Sequence, residues 1–283
     1  MTAERTVAEL VEPTPVVEGA GVHLRRSIAT RTLDYLDPFL LFDHFGSENP
    51  DDYLKGFPFH PHRGIETVTY MLGGSVAHQD SLGNAGVIGA GDVQWMTAGR
   101  GILHEEMPKV GPRRLDGFQL WVNLPRKLKL STPRYQDVAA AKIPEVVRPD
   151  GVRIRVVAGA VDGVAGAVKE IYAEPEYLDV ALPPHRTFEQ PVPRGHTALA
   201  YVFEGEVEFG GGAEGRVAAT RLAVLGDGDL VRVRTGERPG RLLLLSGKPL
   251  GEPVARYGPF VMNTAEEIQQ TLRELRDGSF IQP

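Results

Sequence analysis

Eight histidines stand in the chain, at positions 23, 44, 60, 62, 78, 104, 185 and 196. Three of them lie in two short segments, His60-Pro61-His62 and His104-Glu105-Glu106. Side chains two apart on a strand share a face. His60 and His62 therefore point one way, and His104 and Glu106 form a second same-face pair. Two such strands side by side inside a barrel converge three imidazoles and one carboxylate on one point. That donor set suits an octahedral divalent ion, Fe(II), Mn(II), Ni(II) or Cu(II), with positions left open for substrate or O₂. It offers one ligand more than a catalytic zinc site normally takes. The spacing leaves one alternative open. Glu66 follows His62 by four residues and shares its face if the strand runs on regularly, but Pro61 and Gly64 can disturb that strand.

Other polar residues could surround such a site. His78 and Asp80 share a strand face and could support the ligands, or could simply pair with each other. Gln119 and Trp121 share a face and could line a cavity. Arg25 and Arg26 read as solvated or paired with acidic neighbours. Tyr201, Glu204 and Glu206 carry no catalytic expectation.

The elements that must hold these residues are strands. The chain has 283 residues with 33 glycines and 22 prolines, well above the roughly 12 % of average usage for the two together. They are spread along the chain and punctuate short apolar alternations, the pattern of an all-β sandwich or barrel. Residues 1–18 read as a lead-in. Strands are expected over 21–28, 37–45, 66–72, 75–80, 91–97, 102–107 and 115–124, with 66–72 and 75–80 forming a hairpin about Gly73-Gly74. Residues 125–143 break the rhythm and mark a boundary, giving domains at 1–135 and 136–283. In the second half strands are expected over 152–157, 168–173, 177–181, 198–203, 207–209, 222–225, 230–234 and 241–245. Gly226-Asp227-Gly228-Asp229-Leu230 is laid out like Gly89-Ala90-Gly91-Asp92-Val93, a weak self-similarity suggesting two copies of one β fold. The single strong helix lies at the end, with Thr264 as N-cap, Glu267 as its capping-box partner, and Ile268, Leu272 and Leu275 at helical spacing.

Composition excludes several classes. No cysteine is present, which removes thiolate metal sites, iron–sulfur clusters and cysteine nucleophiles. The net charge of −6 and the lack of a basic block argue against direct nucleic-acid binding. No apolar run is long enough for a transmembrane helix. The first twenty residues hold four glutamates and no apolar core of a secretory signal, so a cytoplasmic protein is expected, as a monomer in the simplest case.

Long segments of the chain resemble the pirin family. These are Leu36 to Asp43, His60 to Val68, Gly91 to Pro108, Gln119 to Leu124 and Gly258 to Thr264, so the likeness runs from about residue 20 to the end. The resemblance implies a bicupin, two antiparallel β-barrels of jelly-roll type with a short C-terminal helix, and a metal in the N-terminal barrel only. It implies Fe as the metal, with Mn, Ni, Cu or Zn as alternatives, and His60, His62, His104 and Glu106 as ligands. Cupin-type sites in general would place Glu66 in that role; the likeness to pirins prefers Glu106 and leaves Glu66 as support. Two functions follow from the resemblance. One is a quercetin 2,3-dioxygenase, which opens the heterocycle of a flavonol with O₂ and releases CO, Glu106 taking the proton of the 3-hydroxyl. The alternative is a non-enzymatic, Fe-dependent redox sensor that binds a protein partner in transcriptional or metabolic regulation.

Overall fold

A computed structural model describes residues 2–210 and 215–281. The described residues are mostly strand and form two compact β units, residues 14–140 with 250–283, and residues 1–13 with 141–249. Neither unit is one continuous piece of chain, so the contiguous expectation of 1–135 and 136–283 has its ends exchanged. The lead-in is not structureless. Val7–Val11 is a strand of the second unit, paired antiparallel with Arg221–Leu225, and Thr14–Glu18 pairs with Val22–Ile28 in the first. Residues 250–283 return to the first unit and contain the helix.

In the first unit, seven antiparallel strands run in the order Arg134–Val138, Val93–Thr97, Ile65–Gly73, Leu115–Asn123, Phe39–Ser47, Val22–Ile28 and Thr14–Glu18. A second sheet has four, in the order Phe57–His62, Ile102–Lys109, Ser75–Asp80 and Ala85–Gly89. The expected hairpin at Gly73-Gly74 does not form. Ile65–Gly73 belongs to the large sheet and Ser75–Asp80 to the small one. Gly74, at φ +71° and pressed against Leu115, turns a corner between sheets, because a left-handed residue without Cβ lets the strand change direction in one step. The apolar core between the sheets includes Val22, Leu24, Phe45, Met71, Val76 and Leu115.

The helix spans Ala265–Asp277 with the expected capping box. Thr264 Oγ1 accepts from the Glu267 N–H, and Glu267 Oε2 accepts from the Thr264 N–H. Ile268 packs with Phe260, Met262 and Phe280, which covers the apolar stripe the sequence shows.

The second unit carries its own core, with Val156, Leu178, Phe188, Val202, Val231 and Leu244 all buried. Residues 168–173 are not a strand. They follow the short Ala160–Val161 and Val164–Ala165 ladder, and Val168 spends its N–H on the Val157 carbonyl in a loop. Glu176 sits largely buried here, accepting hydrogen bonds from Gln190 Nε2 at 2.6 Å and from Ser246 Oγ at 3.4 Å. Burial raises its pKa from 4.5 to about 7 despite both bonds. Between those pH values the folded chain holds a proton that the unfolded chain releases, so stability falls as pH rises through this window. Glu176→Gln removes the titration. Its unfolding free energy relative to the native chain should rise by up to about 3 kcal/mol between pH 5 and pH 8, which urea titrations at the two pH values would measure. An unchanged difference would contradict the assignment.

Candidate metal centre

The Phe57–His62 and Ile102–Lys109 strands pair antiparallel with His104 directly opposite His60 and Ile102 opposite His62. Cross-strand partners share a face, so the register itself gathers the imidazoles. The ring centroids of His60 and His104 lie 4.5 Å apart, those of His60 and His62 4.9 Å, and those of His62 and His104 5.1 Å. One nitrogen from each ring lies within 4.8 Å of the others. A register shift between His104 and Glu106 sets Glu106 opposite Phe57 on one side and His78 on the other.

The four candidates differ in burial. His62 and His104 are almost completely enclosed, and His60 is half-buried. Burial, reinforced by the neighbouring imidazoles, holds His62 and His104 well below the ordinary histidine pKa, which keeps them neutral and their lone pairs available. His60 Nδ1 sits 2.9 Å from the Pro58 carbonyl. That contact makes Nδ1 the N–H and leaves Nε2 as the basic nitrogen. Neither ring nitrogen of His104 has a hydrogen-bond partner among the described residues, nor does Nδ1 of His62. A buried polar atom left unpaired costs about 1–3 kcal/mol, and a cation bound by these lone pairs is a chemical reason to accept that cost. The donor set therefore fits a divalent metal.

Glu106 lines the same cavity, but its carboxylate stands outside the tight spacing of the three imidazoles. Its Oε1 lies 3.2 Å from Thr69 Oγ1, which in turn lies 2.8 Å from Gln119 Oε1. One hydroxyl proton serves one acceptor at a time, so Thr69 donates to Glu106 Oε1 or to Gln119 Oε1, not to both together. Burial pushes the Glu106 pKa up, with His60, the Thr69 hydroxyl and His78 opposing.

Glu66 lies elsewhere. The chain breaks after His62: Gly64, at φ +79°, donates its N–H to the Gly99 carbonyl, and a Cβ there would come within 2.0 Å of the Val261 carbonyl oxygen. The next strand starts at Ile65 in the other sheet. Glu66 is fully buried, accepts from Thr97 Oγ1 at 2.7 Å, and does not line the cavity.

The remaining candidates separate by role. Asp80 accepts from the Leu82 and Asn84 backbone N–H groups and from Asn84 Nδ2, shaping the turn beyond its strand. His78 stacks on Tyr135 with centroids 5.7 Å apart. Gln119 and Trp121 line the cavity, and Trp121 meets His62 edge-on at 5.1 Å. Arg26 is paired, as expected, with Asp43 and Glu18. The cavity holds about 620 Å³ and is walled mainly by apolar side chains such as Leu24, Leu41, Phe45 and Val76, within the usual size for a small-molecule site.

Arg63, inside the His60 to Val68 segment, anchors this strand. Its Nε donates to the Arg100 carbonyl at 2.5 Å, Nη1 reaches Thr271 Oγ1 at 3.1 Å and Glu274 at 2.7 Å, and the guanidinium lies over Phe280. Lys129 Nζ is also buried and donates to the carbonyls of Gly64 and Val261 and to Asn123 Oδ1. Both residues tie the segment after His62 to the C-terminal part of the unit. No local spacing announces such long-range partners.

A mostly β unit with a histidine cluster beside an apolar cavity is the arrangement of the cupin class. The Pirin family model matches residues 21–122 and the Pirin C-terminal cupin domain residues 177–281, and the chain belongs to the pirin family. A Pseudomonas aeruginosa protein named "Putative quercetin 2,3-dioxygenase" is 47 % identical over 98 % of this chain and 99 % of its own. Human pirin is 44 % identical over 92 % of this chain and 88 % of its own. The crystal structure of quercetin 2,3-dioxygenase from Acinetobacter baumannii superposes with a TM-score of 0.89 at 34 % identity, covering 98 % of this chain and 99 % of that one.

Proposed function

We propose that this pirin is a metal-dependent dioxygenase that opens the heterocycle of a flavonol such as quercetin with O₂ and releases CO. In this reading His60, His62, His104 and Glu106 hold the metal, with Fe(II) the first expectation and Mn, Ni, Cu or Zn accepted by the same donors. The observation that carries it is the trio of imidazoles, two of them buried and neutral, with unpaired nitrogens beside an apolar cavity. The names of the similar proteins support the substrate class. A bound divalent ion supplies Lewis acidity that lowers the pKa of the flavonol 3-hydroxyl.

The chain's own residues do the rest. The apolar walls receive the rings and exclude water. Glu106 is the proton acceptor: its Oε1 is engaged by Thr69, which leaves Oε2 to take the hydroxyl proton. Burial raises the basicity of this carboxylate toward the range where a general base works near neutral pH. The His60 contact with Pro58 fixes that ring's tautomer and orientation. The test is O₂ uptake and headspace CO from quercetin with metal-reconstituted protein. CO in proportion to quercetin consumed is expected. Metal-loaded protein that consumes no O₂ with any flavonol would overturn the reading.

A further inference from the structure

Two guanidinium groups line the cavity, and their hydrogen bonding differs. Arg26 spends three of its five donors on carboxylates, with Nε and Nη2 on the two oxygens of Asp43 at 2.8 and 2.7 Å and Nη1 on Glu18 at 2.7 Å. Arg256 instead lies over the Trp121 ring, its guanidinium carbon 5.1 Å from the centroid. Its Nη1 donates to the Leu40 carbonyl at 3.1 Å and its Nε makes a long contact of 3.4 Å to the Gly258 carbonyl. Among the described residues it makes no ion pair. A guanidinium carries five N–H donors in a fixed plane, so three of them have no acceptor there. This happens in a half-buried setting where burial lowers the arginine pKa.

The charge balance says what kind of acceptor would fit. Asp34, Asp43 and Glu18 lie near enough to favour the charged form of Arg256. Both oxygens of Asp43 are already taken by Arg26. Along the cavity wall, three carboxylates, Glu18, Asp43 and Glu106, stand against the two guanidiniums of Arg26 and Arg256. A ligand need not bring a full negative charge; it must bring an oxygen that accepts hydrogen bonds. Trp121 links this guanidinium to the imidazole cluster, by one contact of 5.1 Å to His62 and one of 5.1 Å to Arg256.

We infer that Arg256 is a specificity-determining residue that binds an outer-ring hydroxyl oxygen of a planar aromatic ligand, at a point of the cavity across Trp121 from the imidazoles. This rests on reading the cavity as a flavonol site. The test uses two probes: 3-hydroxyflavone, which carries only the 3-hydroxyl, and kaempferol, which adds hydroxyls on both outer rings. Their affinities for metal-loaded native protein, Arg256→Gln and Arg256→Lys are read under argon from quenching of tryptophan fluorescence. Kaempferol should bind native protein more tightly than 3-hydroxyflavone. Arg256→Gln should weaken kaempferol about tenfold, the scale of one charged hydrogen bond, and leave 3-hydroxyflavone within about twofold. Arg256→Lys should recover part of the loss. Equal weakening of both probes, or an unchanged preference for kaempferol in Arg256→Gln, would overturn the role of Arg256 while leaving the flavonol site standing. Native protein that binds neither probe would overturn both.

Discussion

Glu106→Gln should leave a folded protein that still binds one metal ion and has lost most of its turnover, by about 10²–10⁴-fold with quercetin, the range of general-base catalysis. The glutamine keeps the shape of the side chain and can keep the contact with Thr69 Oγ1, so the Gln119 arrangement survives. It loses the negative charge and the basic oxygen. Because burial already disfavours that charge, the melting temperature should not fall. Glu66→Gln is the control. Glu66 accepts from Thr97 and lies away from the cavity, so turnover should stay within a few-fold while stability changes. Headspace CO and O₂ uptake on both variants check this. Loss of turnover in Glu66→Gln with Glu106→Gln unaffected would exchange the two roles.

The second large effect concerns the frame. Arg63→Met should destabilise the protein by about 3–5 kcal/mol, the usual cost of breaking a buried ion pair by removing one partner. Arg63 is buried with its ion-pair partner Glu274 mostly covered. Methionine removes the Arg63 donors from Glu274 Oε2, Thr271 Oγ1 and the Arg100 carbonyl, while Glu274 Oε1 keeps its bond from Gln270 Nε2. The apolar stem can still pack on Phe280, which bounds the loss. Urea unfolding read by tryptophan fluorescence gives the value. Arg63 directly follows His62, so the variant should also weaken metal binding. A change below about 1 kcal/mol would place Arg63 with ordinary surface pairs.

The parity of His60, His62, His104 and Glu106 was legible because it depends only on the two-residue repeat of a strand and on two strands pairing. The structure supplies that pairing and its register. The choice between Glu66 and Glu106 was not legible from spacing. It turns on the corner at Gly64, where a left-handed residue ends one strand and the next begins in another sheet. The same limit explains Gly73-Gly74: two glycines announce a turn, but whether the flanking strands pair depends on distant partners. Val7–Val11 and residues 250–283 each join a unit remote in sequence, and nothing in a short, half-exposed strand such as VAELV says which sheet edge will take it. Arg63 and Lys129 escaped notice for that reason too, since their acceptors lie as far away as Thr271 and Val261. The capping box at Thr264 and Glu267 was readable because all of its partners are local.

The most direct measurement is the metal content of the protein after anaerobic reconstitution with Fe(II) and removal of excess ion, for the native chain beside His104→Ala. His104 lies opposite His60 in register and, among the described residues, has no hydrogen-bond partner for either ring nitrogen. One equivalent of metal in the native protein, and close to none in a His104→Ala variant whose circular dichroism is unchanged, is the expected result. Equal loading of the two proteins, or no loading of the native one, would contradict the metal centre and the chemistry assigned to it.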